Sequence, residues 1–154
     1  VFGGVYKLAS IEKGGIEHPR MKISDNPAKV TSPANKEVWR FFDKETGDAL
    51  ADLITLADEV IDETKPYVLF DPNHTWKRKT IENYTIRRLL EPVFLKGECV
   101  YKRRDIESIR AYCRRELATL WDSVKRFENP QVYYVDLSQK LWDLRDHLLR
   151  LNGD

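Results

Sequence analysis

The side chains best suited to proton transfer near neutral pH are three histidines, and none stands in the company that such work requires. His18 precedes Pro19 in a turn, His74 follows Pro72-Asn73 at the tip of an expected hairpin, and His147 lies at the border of a leucine stripe. Each reads as solvated or simply hydrogen-bonded. Ser24, Ser32 and Ser138 show no neighbouring base that would activate a hydroxyl. The chain holds no G-x-x-x-x-G-K-[ST], G-x-G-x-x-G or G-x-S-x-G motif, so the standard phosphate cradles and nucleophile elbow are missing. Cys99 and Cys113 form no CxxC pair and have no second pair of soft ligands beside them, which argues against zinc. They are expected to be reduced, partly buried thiols. No residue of the chain is therefore assigned a catalytic role.

Basic residues recur in short clusters: Lys77-Arg78-Lys79, Arg87-Arg88, Lys102-Arg103-Arg104, Arg114-Arg115 and Lys125-Arg126. With Trp76, Tyr84 and Tyr101 nearby, they could make a basic, aromatic surface for RNA. The plainer reading is a set of solvated faces balanced by Glu82, Glu91, Glu98, Asp105 and Glu107. The 26 Lys and Arg against 25 Asp and Glu give a formal charge of +1, which excludes a generally basic protein that coats nucleic acid. No run approaches the roughly 18 apolar residues of a membrane span, and there is no signal-peptide pattern. A soluble, cytoplasmic protein is expected.

The elements that would position these residues follow from periodicity. The 154 residues, 42% of them hydrophobic, suit a chain with a core of its own. Val5 to Ile11 alternates like a strand and ends at the turn Lys13-Gly14-Gly15; Arg20 to Ser24 alternates again as a second strand. Asp25 to Asn35, with Pro27 and Pro33, reads as an ordered loop. Val38 to Phe42 and Ala49 to Leu56 flank the polar turn Asp43 to Asp48, and Tyr67 to Phe70 and Thr75 to Ile81 flank Asp71-Pro72-Asn73. Tyr84 to Leu90 and Val93 to Tyr101 are further strands, bent or at an edge because of Pro92.

Two helices end the chain. Asp105 is a good N-cap, and behind it Ile109, Cys113, Leu117, Leu120 and Val124 share one face at helical spacing. That helix is expected to run to Asn129-Pro130. A second, from Asp136 or Ser138, carries Leu137, Leu141, Leu144, Leu148 and Leu151 and ends at Asn152-Gly153. Both stripes are expected to be core. The fold class is α+β: a β-rich N-terminal two-thirds followed by two amphipathic helices. The N-terminus has no Met and Val1-Phe2-Gly3-Gly4 opens straight into a strand-like run, which reads as a fragment of a longer chain.

One ordered series of motifs runs through the whole sequence. Gly3-Gly4-Val5-Tyr6-Lys7-Leu8 is followed by Arg20-Met21-Lys22-Ile23-Ser24, by Asn26-Pro27-x-Lys29 and by Lys36-x-Val38-x-Arg40. The turn at Asp43 to Gly47 comes next, and Asn129-Pro130-x-x-Tyr133-x-Val135-x-Leu137-Ser138 precedes the final helix. This series resembles the C-terminal portion of nicotinate phosphoribosyltransferases. The resemblance implies an enzyme that condenses nicotinate with phosphoribosyl pyrophosphate to nicotinate mononucleotide in NAD biosynthesis. It implies ATP hydrolysis through a phosphorylated histidine, Mg²⁺ with the phosphates, and a homodimer.

The implied parent has the type II phosphoribosyltransferase fold, an irregular α/β barrel plus an α+β domain. Residues 1–35 would be the last strands and loop adjoining the barrel, and residues 36–154 the C-terminal α+β domain. In that family the phosphorylated histidine, the nicotinate-contacting tyrosine and arginine and the phosphate loop lie upstream of the GGVYKL strand. The chain alone is therefore expected to be inactive, to bind neither ATP nor Mg²⁺ by itself, and to serve a structural role beside the remainder of the enzyme. Gly3, Gly4 and Lys7 are the candidates for contact with the phosphate side of the parent's site; alternatively Gly3-Gly4 packs a barrel strand and Lys7 pairs with a carboxylate. The competing functions are a self-standing RNA-binding module and a protein-interaction module.

Overall fold

A computed structural model describes residues 3–26 and 29–151. Its centre is a hairpin that the alternation anticipates: β3 (Lys36–Asp43) and β4 (Ala49–Leu56) pair antiparallel with Lys36 opposite Leu56. The turn between them closes because Asp43 accepts hydrogen bonds from the amides of Glu45 (2.8 Å) and Thr46 (3.0 Å) while Gly47 takes φ +75°, a region open to glycine at no steric cost. Ahead of it, β1 (Ser10–Lys13) and β2 (Ile16–Pro19) form a separate two-stranded hairpin around Gly14 and Gly15. Beyond it, β5 (Tyr67–Asp71) pairs with β6 (His74–Ile81), and β7 (Tyr84–Arg88) returns to the other edge of β3. A small hairpin, β8 (Phe94–Leu95) and β9 (Glu98–Cys99), leads to α1 (Ile106–Ala118), the single turn α2 (Asp122–Lys125), the short strand β10 (Val135–Leu137) and α3 (Gln139–Leu151).

The main sheet has the order β10-β4-β3-β7, with β10 parallel to β4 and the other pairs antiparallel. The β5–β6 hairpin covers one of its faces, and the core lies between the two layers: Phe41, Ala51, Leu53, Ile61, Leu69, Ile81 and Tyr84. Period-2 alternation explains the membership, since Trp39 and Phe41 of β3 share a face with their cross-strand partners Leu53 and Ala51. Each large side chain so buried contributes about 1.5–3 kcal/mol. Tyr84 brings a hydroxyl into this core and satisfies it by donating to the carbonyls of Lys65 (2.9 Å) and Asp62 (3.2 Å). Helix α3 rests on β4 through the fully buried Leu141. Its Trp142 meets Phe70 edge to face and donates to the Pro72 carbonyl at 3.4 Å.

The α+β class is the one expected, β-rich with helices at the end, but several elements differ from the sequence reading. Residues 5–9 and 20–24 form no strand. Alternation marks a face, whereas a strand also needs a neighbour to complete its ladder; here the contacts are isolated, the Arg20 amide donating to the Ala9 carbonyl (2.8 Å) and Lys22 meeting Thr31 through the Thr31 hydroxyl (2.9 Å) and a long backbone bond (3.4 Å). The strand expected over Val93 to Tyr101 is a hairpin folded at Lys96 and Gly97, both at positive φ. The expected long helix from Asp105 ends at Ala118, where Thr119 turns its hydroxyl (2.7 Å) and amide back onto the Glu116 carbonyl. Asp105 does cap it, accepting from the Ser108 amide at 2.9 Å.

The stripe on α1 is not core: no residue of that helix is buried, and Leu117 is 50% exposed. Of the leucine stripe on α3, Leu141 alone is buried while Leu144 and Leu148 are half-buried. Asp136 belongs to β10, and α3 starts one residue after Ser138, whose hydroxyl accepts from the Leu141 amide at 3.2 Å. Cys99 and Cys113 are exposed, not partly buried. The expectations for Val1-Phe2, Pro27 and Asn152-Gly153 fall outside the described residues. No helix among the described residues is long and apolar enough to cross a membrane.

Candidate functional site

The face of the main sheet opposite the hairpin layer carries a charged pair where an apolar one would be ordinary. Arg40 and Asp52 stand directly opposite each other on β3 and β4, so strand pairing itself aligns guanidinium and carboxylate. Arg40 Nε and Nη2 donate to the two oxygens of Asp52 at 2.8 and 2.9 Å, a bidentate geometry. The Tyr133 hydroxyl donates to the same carboxylate at 3.1 Å, and Arg40 Nη1 lies 3.5 Å from Glu116 Oε2, which also pairs with Arg87. The hydrogen bonds to Asp52 hold Arg40 firmly protonated against the cost of its burial. Burial, then the charge of Asp52, pushes the Tyr133 phenol well above its usual range. Every charge in this group is spent on a neighbour, so it works as a clamp that ties the end of α1 and the segment before β10 to the sheet.

A cleft of about 870 Å³ opens between the β5–β6 hairpin and residues 131–136. Asp136 is 4% exposed and lines it. Burial, with Asp71 nearby adding to it and Lys79 opposing it, pushes its carboxyl up to about 6. Asp71 itself accepts from His74 Nδ1 at 2.9 Å and from the Asn73 amide at 2.8 Å; the bond to His74, then that amide, hold its carboxyl below the ordinary carboxylate range. Lys79 places its ammonium over the rings of Tyr134 (5.0 Å) and Trp121 (5.4 Å), and Trp76 lines the cleft while 74% exposed. This arrangement can bind a flat or charged group. It offers no nucleophile beside a base, and no group of three or more His, Cys, Asp or Glu that could hold a metal ion is present among the described residues.

Gly3, Gly4 and Lys7 lie in the exposed segment ahead of β1. A Cβ built on either glycine would meet nothing within 4 Å. Lys7 lines a shallow groove with Tyr6, Leu8, Ala34, Val38, Ile54 and Leu90, away from the residues that line the larger cleft. The basic clusters are divided among several local partners: Arg87 stacks over Phe42, Arg88 over Trp39, and Arg104 reaches Tyr112 and Glu91. Sequence reasoning missed Asp136 as a cleft residue because it looked like a helix start. The signal was there in a carboxylate set between Val135 and Leu137.

Comparison with known proteins is consistent over most of the chain. Residues 35–145 match the family of nicotinate phosphoribosyltransferase C-terminal domains. The nicotinate phosphoribosyltransferase of Bacillus subtilis is 38% identical over 140 residues, covering 91% of this chain and 29% of that protein. The mouse protein of the same name is 32% identical over 146 residues, covering 95% and 26%. The crystal structure of human nicotinic acid phosphoribosyltransferase superposes with a TM-score of 0.71 at 25% identity, over 84% of this chain and 24% of that one. The chain thus spans under a third of the length of these relatives, and none of the three bears the name of an RNA-binding or adaptor protein. It belongs to the family of nicotinate phosphoribosyltransferase C-terminal domains.

Proposed function

We propose that the chain works as the C-terminal part of an ATP-dependent nicotinate phosphoribosyltransferase, a cytoplasmic homodimer that makes nicotinate mononucleotide from nicotinate and phosphoribosyl pyrophosphate with Mg²⁺. Its own contribution is structural: residues 1–35 adjoin the catalytic barrel and residues 36–154 form a separate α+β domain. The match of residues 35–145 to the C-terminal domain family carries this reading. The site geometry agrees with it. Phosphoribosyl transfer needs unspent cations or a metal aimed at phosphate oxygens, whereas the best-aligned cation here, Arg40, is committed to Asp52. No group of three or more His, Cys, Asp or Glu gathers among the described residues, and neither a Mg²⁺ contact nor a step of the reaction is assigned to them. Gly3, Gly4 and Lys7 remain the candidates for the phosphate side of the parent's site.

The test is a chimera. This chain replaces the matching segment of the Bacillus subtilis relative, and formation of nicotinate mononucleotide is followed with ATP, Mg²⁺, nicotinate and phosphoribosyl pyrophosphate. Turnover by the chimera, and none by the same protein with the segment deleted, is the expected result. A soluble, folded chimera without turnover overturns the proposal.

A further inference from the structure

Every residue from 90 to 115 is exposed, although this stretch contains a hairpin and most of a capped helix. Its order is local. Gly97 takes φ +85° in the β8–β9 turn, Asp105 caps α1, Val100 donates its amide to the Val93 carbonyl at 2.9 Å, and Arg104 bridges Glu91 and Tyr112. Both ends are fixed to the domain. The Leu89 amide donates to the Val38 carbonyl at 2.8 Å at one root; at the other, Glu116 meets Arg40 and Arg87 and the Thr119 carbonyl accepts from the Ala49 amide at 2.8 Å. The result is an arm with firm roots that does not pack on its own domain.

The arm's surface is not that of a solvated loop. Phe94, Leu95, Ile106 and Ile109 all lie exposed on it, Ile106 at 72%. Exposed apolar side chains gathered on one segment are the material of an interaction surface. Leu90, at the arm's root, lines one groove with Tyr6 and Leu8, so apolar surface runs from the N-terminal segment onto the arm. We infer that residues 90–115 are a docking arm for the part of the enzyme that precedes this domain. The inference rests on the proposed function, and two further observations select that occupant. More than two-thirds of the length of the Bacillus subtilis relative lies outside the match, and a polypeptide that leads into residues 3–8 arrives at the groove that leads to the arm. The arm carries seven Lys and Arg against four Asp and Glu, so the surface it fits is apolar with an acidic rim.

Cys99 and Cys113, both exposed and both on the arm, report the docking without any substitution. N-ethylmaleimide is added to the chain alone and to the Bacillus subtilis chimera, and the two thiols are followed by peptide mass spectrometry. In the chain alone both thiols should react at the rate of a free peptide thiol. In the chimera at least one should slow by about tenfold or more, recovering in urea, because reaction then waits for local opening. Ile109→Glu should abolish that protection in the chimera while leaving the urea midpoint of the chain alone unchanged. Equal rates in chain and chimera overturn the docking even if the chimera is active. Protection in a soluble but inactive chimera upholds the docking and overturns the proposed function. Protection of the chain alone that grows with its concentration, together with a sedimenting dimer, assigns the arm to a second copy and overturns the choice of occupant.

Discussion

Replacing Asp136 by Asn should make the protein more stable, and only above mildly acidic pH. The carboxyl is pushed from 3.8 up to about 6 by burial and by Asp71, so the folded state keeps its proton where the unfolded chain has lost it. Stability from this group is fully present below 3.8 and is lost as pH rises through about 6. In that window the unfolded state binds one proton fewer, and stability falls by about 1.36 kcal/mol per pH unit. Across the interval the loss approaches about 3 kcal/mol as an upper value, since relaxation of the cleft reduces it. Asn is neutral throughout and nearly isosteric. Urea unfolding of both proteins should therefore give similar midpoints near pH 4, with the Asn variant ahead by about 1–3 kcal/mol near pH 8. In an Asp71→Asn background the window should narrow, because the second cause of the shift is gone. A stability difference that stays flat between those pH values refutes the reasoning, and so does an advantage confined to acid.

Leu141→Ala should cost about 2–5 kcal/mol by urea unfolding because the side chain is fully buried, whereas Leu117→Ala, half exposed on α1, should cost less than about 1 kcal/mol in the chain alone. Asp52→Ala removes the bidentate partner of Arg40, whose side chain is 17% exposed, leaves it only the longer contact to Glu116 and should cost about 3 kcal/mol; Tyr133→Phe, losing one hydrogen bond, should cost about 0.5–1.5 kcal/mol. The purified chain should form no nicotinate mononucleotide and hydrolyse no ATP, with or without phosphoribosyl pyrophosphate and Mg²⁺, as read by product chromatography. Lys7→Glu in the active chimera should weaken phosphoribosyl pyrophosphate binding by about 1.5–3 kcal/mol in a titration, and unchanged binding would remove Lys7 from the phosphate side.

The β3–β4 and β5–β6 hairpins were legible because alternation and turn chemistry agree there: Asp43, Gly47 and Asp71 each act in the structure as their residue types predict. The strand β10 was not. Three residues are too few for a period of two to declare itself, and Leu137 fits the helical spacing that Leu141, Leu144 and Leu148 continue. The stripe on α1 is a different failure. Periodicity reveals that a helix has an apolar face and is silent on whether the partner for that face lies in the same domain. The cleft brings Asp71 and Lys79 of one hairpin together with Asp136, far along the chain. No local pattern encodes that meeting. The site residues drawn from the family resemblance lie elsewhere, ahead of β1.

The parallel pairing of β10 with β4 has a consequence in time. The outer edge of β4 is closed late, by the Asp52 amide donating to Tyr134 and the Ser138 amide donating to Ile54. On a ribosome adding roughly 5–20 residues per second, the ~80 residues between the two strands take on the order of 4–16 s to appear. During that interval a nascent chain holds β3 and β4 with an open, apolar edge, the form most prone to pair with a neighbouring chain. The arm of residues 90–115 is made in the same interval and folds on local contacts alone. Synthesis that stalls before Val135 should therefore yield chains that aggregate through β4, and stalling after α3 should not.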